Sequence, residues 1–180
     1  NDFWLVKTNS TGGMEWNKTY GAAGDDRANS VQQTSDGGYT LAGYTASFGA
    51  GLDDFWLVKT NSTGGMEWNK TFGGISNDQA NLARQTSDNG YILAGYTASF
   101  GAGDSDFWLV KTNSTGGMQW NKTFGGASTD FAQSVQQTSD NSYILAGYTG
   151  SFGAGDWDFW FVKVDSGLPA ISINSPPSGA

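Results

Sequence analysis

The stretch Asp54-Phe55-Trp56-Leu57-Val58-Lys59-Thr60 alternates Phe55, Leu57 and Lys59 with Trp56, Val58 and Thr60. As an extended strand it places one large aromatic and one aliphatic side chain on each face. The triplet that opens it recurs as Asp2-Phe3-Trp4, Asp106-Phe107-Trp108 and Asp158-Phe159-Trp160, at a constant spacing of about 52 residues. Such a period lies in the range of propeller blades. Between these marks the text barely changes: LVKTNSTGGMEWNKT, QTSD, ILAGYT or TLAGYT, and SFGAG return in order. The 180 residues therefore read as about three and a half copies of one unit.

Each copy divides into four short segments with strand character, separated by turn residues. Segment A is Ala28 to Thr34, and the turn Ser35-Asp36-Gly37-Gly38 leads to segment B, Tyr39 to Thr45. A loop, Ala46 to Asp53, feeds segment C, Phe55 to Thr60; the turn Asn61-Ser62-Thr63-Gly64-Gly65 leads to segment D, Met66 to Phe72. No stretch combines a helical period with helix caps. Four strands per repeat without helices predict an all-β chain of propeller-type blades, each of four antiparallel strands. Segment A, with Ala, Ser, Asn and Gln, is small enough for the crowded axis, whereas C and D hold the Trp residues of the broader outer part.

The ordered motifs DFWLVKTNSTGGMEWNKTFGG and QTSDNGYILAGYTASFGAG resemble the SBBP-type β-propeller repeat, and more loosely kelch-like blades, of secreted and cell-surface bacterial and archaeal proteins. The resemblance covers residues 1 to about 166 and implies the fold and an extracellular setting. It implies no particular activity, because propellers serve as enzymes, lectins and scaffolds alike. Residues 1–21 supply strands C and D, 22–73 and 74–125 are full blades, and 126–166 supply strands A to C. The remaining 167–180, rich in Pro and Ser, reads as a linker or tail. A propeller closes with about four to eight blades, so the ring is incomplete within one chain. Raw sheet flanks with exposed aromatic faces would result. Two expectations follow: self-association as a homodimer ring of about six blades or a head-to-tail polymer, or upstream blades lost before Asn1. In an assembly, strand D of the first segment, Met14 to Tyr20, is a candidate to complete the last blade beside Phe159 to Val164, either across chains or by closure.

Composition excludes several chemistries. With no Cys and no His there is no zinc finger, no thiolate nucleophile and no imidazole base. A net charge of −8 argues against nucleic acid as partner. No apolar run reaches the length of a membrane span, and an opening Asn1 instead of Met suggests a removed leader or upstream sequence.

The direction of the strands places the D-to-A and B-to-C loops on one face. There the copies differ most, which makes this the candidate ligand face: Asp26, Arg27, Asp78, Gln79, Asp130 and Phe131, with Trp157 as an aromatic that breaks the repeat. Asp53, Asp54, Asp104, Asp106, Asp156 and Asp158 are candidate calcium ligands, since that hard cation takes several oxygens; the alternative is that they bond their own turn backbone. No other cofactor is expected. Paired carboxylates also permit glycoside hydrolysis, but a catalytic pair is usually unique and these Asp residues recur in each copy. Asn9, Asn17, Asn61, Asn69, Asn113 and Asn121 stand in the Asn-x-Ser/Thr pattern and are candidate glycosylation sites. The reading is a non-enzymatic extracellular or cell-surface repeat protein with a structural, adhesive or self-assembly role through multivalent display. Its alternatives are a glycan-binding, lectin-like propeller and, third, a fragment of a glycoside hydrolase or lyase.

Overall fold

The computed structural model describes residues 1–165 and the backbone of 171–172. The described chain is all-β and forms an incomplete propeller-like row of blades. Strands β1 (Phe3–Thr8) and β2 (Met14–Tyr20) form a half-blade. The next blade is β3 (Asp26–Gln33), β4 (Tyr39–Thr45), β5 (Asp54–Thr60) and β6 (Met66–Phe72), hydrogen-bonded in that order. It is followed by β7 (Asp78–Gln85), β8 (Tyr91–Thr97), β9 (Asp106–Thr112) and β10 (Met118–Phe124). The last sheet contains β11 (Asp130–Gln137), β12 (Tyr143–Thr149), β13 (Asp158–Val164) and the two-residue β14 (Ile171–Ser172). Every named pairing is antiparallel.

A sequence expectation is corrected: segment A begins two residues earlier than Ala28, because Asp26 and Arg27 already pair with Thr45 and Tyr44. Among the described residues strand β2 pairs with β1, and the outer edge of β13 meets β14, with Lys163 opposite Ser172 and Val164 opposite Ile171. The rest of the tail lies outside the described residues.

Burial along the repeated strand shows how the blades stack. β5 and β9 are buried at all seven positions, since a neighbour covers each face. At each junction the Phe of one blade meets the Trp of the next: Phe3–Trp56, Phe55–Trp108 and Phe107–Trp160, with ring centroids 4.5, 4.6 and 4.7 Å apart. A second set, Trp16–Tyr39, Trp68–Tyr91 and Trp120–Tyr143, meets edge-on at 5.9, 5.6 and 5.7 Å. These are favoured aromatic geometries, and they account for most of the Trp content by packing.

The inner strands are joined by polar contacts that a bulge makes possible. The register of β3 with β4 skips Asn29, and that of β7 with β8 skips Asn81. The extra residue turns its side chain out of the ladder. Asn29 Nδ2 then donates to Ala80 O, and Asn81 Nδ2 to Ala132 O, each at 2.8 Å. Further out, a lysine ties each full blade together. Lys59 Nζ donates to Asp36, Glu67 and the Thr60 carbonyl, each at 2.8 Å. Lys111 Nζ reaches Asp88 and Thr112 O at 2.8 Å and Gln119 Oε1 at 3.2 Å. Both ammonium groups are buried, which is tolerable because each is paired and hydrogen-bonded.

Candidate functional site

The D-to-A and B-to-C loops meet on one rim, as expected. Asp78 N donates to Asp53 O at 2.6 Å, and Asp130 N to Ser105 O at 2.7 Å. Beneath these loops, Asp26, Asp78 and Asp130 are fully buried. Asp26 accepts from the Thr45 hydroxyl, the Ser47 hydroxyl at 2.7 Å and the Ala22 amide at 2.9 Å. Asp130 repeats this with Thr149, Ser151 and Gly126, and Asp78 accepts from Ser99 and Gly74. These carboxylates shape the loops and are not presented to solvent.

Asp54 and Asp106 are also buried, and each accepts a loop amide through Oδ2, from Ala50 at 2.7 Å and Ala102 at 2.8 Å. Their Oδ1 atoms have no hydrogen-bond partner among the described residues. Both point across a blade junction. A methyl group on Gly73 would meet Asp54 Oδ1 at 1.8 Å and Asp78 Oδ2 at 2.8 Å; one on Gly125 would meet Asp106 Oδ1 at 1.7 Å and Asp130 Oδ2 at 2.6 Å. Only glycine leaves room for two carboxylates from adjacent blades. Burial pushes the Asp54 and Asp106 carboxyls above the usual carboxylate range, the loop amides oppose this, and the neighbouring Asp78 or Asp130 adds to it.

The candidate calcium ligands thus face different ways. Asp53 accepts from Gln79 Nε2 at 2.6 Å, whereas Asp54 turns down toward Gly73. Asp158 is half-buried, and Asp104 and Asp156 are exposed. Among the described residues no three acidic groups gather as a metal site.

Arg27 pairs with Asp25 at 3.0 Å and lies 6.0 Å over the Tyr44 ring. Its counterpart in the last blade, Phe131, sits instead in a group of aromatics. Phe131 meets Tyr96 edge-on at 4.4 Å, Tyr148 at 5.4 Å and Trp157 at 6.3 Å with a 25° interplanar angle; Tyr148 meets Trp157 edge-on at 5.0 Å. Trp157 remains 54% exposed. It borders a shallow cavity of about 420 Å³, also lined by Asp104, Ser128, Thr129, Gly150 and Asp156.

Neither a family model nor a curated protein matches the chain.

The opposite face and outer rim carry the six sequon asparagines, all exposed. Asn9, Asn61 and Asn113 accept amides within their own turns, as Asn9 does from Thr11 at 3.0 Å and Gly13 at 2.8 Å. Asn17, Asn69 and Asn121 accept from the indoles of Trp4, Trp56 and Trp108.

The two ends of the row present unlike faces. On the half-blade, Trp4 is 65% exposed although its counterparts Trp56, Trp108 and Trp160 are buried. On the last blade, Phe159 is 70% and Phe161 38% exposed, whereas Phe55, Phe107, Leu57 and Leu109 in the same places are buried. Phe161 also lines a groove of about 550 Å³ with Leu82, Val135, Ile144 and Gln136. Sequence reasoning missed the buried lysines, the paired Asp residues across Gly73 and Gly125, and the part Gly150 plays; a column-by-column comparison of the copies carries a signal for the last of these.

Proposed function

We propose that the chain is a non-enzymatic structural repeat scaffold, of the SBBP type its motifs resemble, that associates blade to blade with further copies outside the cell. One observation carries the reading: exposed Trp4 and exposed Phe159 are the two unmet halves of the Phe–Trp contact made at all three internal junctions. The last blade therefore offers the half-blade of a second copy the surface that each blade already offers its neighbour, and the half-blade offers its own to a second copy or to a further blade of a longer chain. Apolar faces of this kind favour association. The extracellular setting is supported by the resemblance and by six exposed sequons, and the non-enzymatic role by carboxylates that recur in each copy and are engaged in holding loops.

Sedimentation over a range of concentrations tests it. The chain is expected to pass from monomer to dimer and higher species, and Phe159→Asp is expected to hold it as monomer with an unchanged circular dichroism spectrum. A chain that stays monomeric at every concentration, or a Phe159→Asp variant that associates as before, overturns the reading.

A further inference from the structure

The last blade departs from the other copies at three positions that meet in space. Where the first two full blades carry Arg27 and Gln79, it has Phe131; where they carry Ala46 and Ala98, it has Gly150; where they carry Asp53 and Ser105, it has Trp157. The three changes build one corner. Phe131 lies nearly parallel to the indole of Trp157 and Tyr148 stands nearly perpendicular to it. A methyl group on Gly150 would make an ordinary contact with Trp157 Cζ3 at 3.5 Å and a tight one with Thr129 O at 3.1 Å, so the glycine leaves open the space beside the ring that an alanine would occupy. The cavity that results is bordered by the carboxylates Asp104 and Asp156 and by the hydroxyl-bearing Ser128 and Thr129.

From this convergence we infer that the Trp157 cavity is a binding site for a neutral saccharide, a role that goes beyond self-association and does not depend on it. The chemistry follows from the lining. The indole of Trp157 is 54% exposed and is held by Phe131 and Tyr148 before any ligand arrives, which lowers the ordering cost of binding. A flat apolar surface of that size suits the C–H face of a pyranose ring. Ionised carboxylates accept hydrogen bonds and cannot donate them, so the ligand must bring donors of its own. Sugar hydroxyls do so, and the hydroxyls of Ser128 and Thr129 can serve as donor or acceptor toward the same ring. An anionic sugar is disfavoured by the two carboxylates and by a chain of net charge −8. A quaternary ammonium is the other ligand that aromatics and carboxylates attract, but it is held best by a cage of several aromatic faces. Here Phe131 and Tyr148 are turned to supporting Trp157.

The test uses the whole chain, in the native form and with Phe159→Asp, so that self-association and sugar binding are read separately. The probes are hexasaccharides of β-1,4-linked glucose, β-1,4-linked N-acetylglucosamine and α-1,6-linked mannose, with tetramethylammonium as the competing cation, followed by saturation-transfer NMR and calorimetry. At least one hexasaccharide is expected to bind saturably in both backgrounds. Trp157→Ser, which restores a residue the preceding copy tolerates, is expected to weaken it by about tenfold or more. Gly150→Ala is expected to weaken it as well, and Leu52→Ala, on an exposed loop elsewhere, to leave it unchanged. The inference is overturned if none of the three sugars binds, if binding survives Trp157→Ser, or if tetramethylammonium binds at Trp157 in their place.

Discussion

Lys111 stands at the position of its strand that follows Phe107 and Leu109 on one face, yet it carries a charge. Three acceptors at its ammonium group resolve that conflict. Replacing it with Met keeps most of the aliphatic packing but leaves the Thr112 carbonyl without this donor and Asp88 without its cation. The expected loss is about 2 kcal/mol, read from urea unfolding. The partner carries a pH signature. Burial pushes the Asp88 carboxyl up, but hydrogen bonds from Lys111, Thr86 and the Gly90 amide outweigh it and hold the group at about 2, below its ordinary 3.8. A carboxyl lowered by folding stabilises fully above its unfolded value and loses that contribution as pH falls toward the folded one. Melting temperature is therefore expected to drop between about pH 4 and pH 2, and Asp88→Asn to flatten that part of the curve.

Asp106 has the opposite sign. Its carboxyl is raised by burial, so its ionisation costs stability as pH climbs past the unfolded value. Asp106→Asn keeps an acceptor for the Ala102 amide and removes the charge beside Asp130. The variant is expected to melt a few degrees higher than the native chain at neutral pH, with the gap closing toward pH 3; a lower melting temperature at neutral pH would show that Asp106 needs its charge.

At the scale of strands and turns, much was open to reading. The period, the alternation in DFWLVKT and the turn residues placed the strands, and β4 and β6 have the predicted bounds. What stayed hidden has physical causes. Asp26 and Arg27 look like loop residues because they are charged, and it is the Thr45 and Ser47 hydroxyls and the Ala22 amide, all donating to Asp26, that make an internal strand start there favourable. The bulge at Asn29 leaves no mark in a hydrophobic pattern, since its purpose is a contact with the next blade about 52 positions along. Nor could spacing alone show that Asp54 and Asp78, from two blades, share the space above Gly73. That junction gives a stringent expectation: Gly125→Ala must displace the Asp106 carboxylate, and overpacking of this kind costs about 1–3 kcal/mol. Of the candidate site, Phe131 and Trp157 stood out as aromatic breaks in the repeat; Gly150 breaks it too, against Ala46 and Ala98, but a change of one methyl group shows its meaning only where the ring of Trp157 is seen beside it.

For the whole molecule, the two ends differ in chemistry from the rims. Trp4, Phe159 and Phe161 make the ends apolar, while the net charge of −8 resides largely on loops and turns. Association through the ends should therefore persist as salt is raised, because burial of apolar surface is not screened as surface ion pairs are. Sedimentation in low and high salt reads this directly, and dissociation by salt would point to a charged contact instead.

The Phe–Trp contact has the same two sides at each junction, so the contact itself sets no number of blades. Gain or loss of a whole period of about 52 residues, wherever it starts, leaves a Phe facing a Trp at the joint, whereas gain or loss of any other length separates them. A gene built this way can gain or lose copies by recombination between its own repeats, with each surviving product already possessing a matched seam.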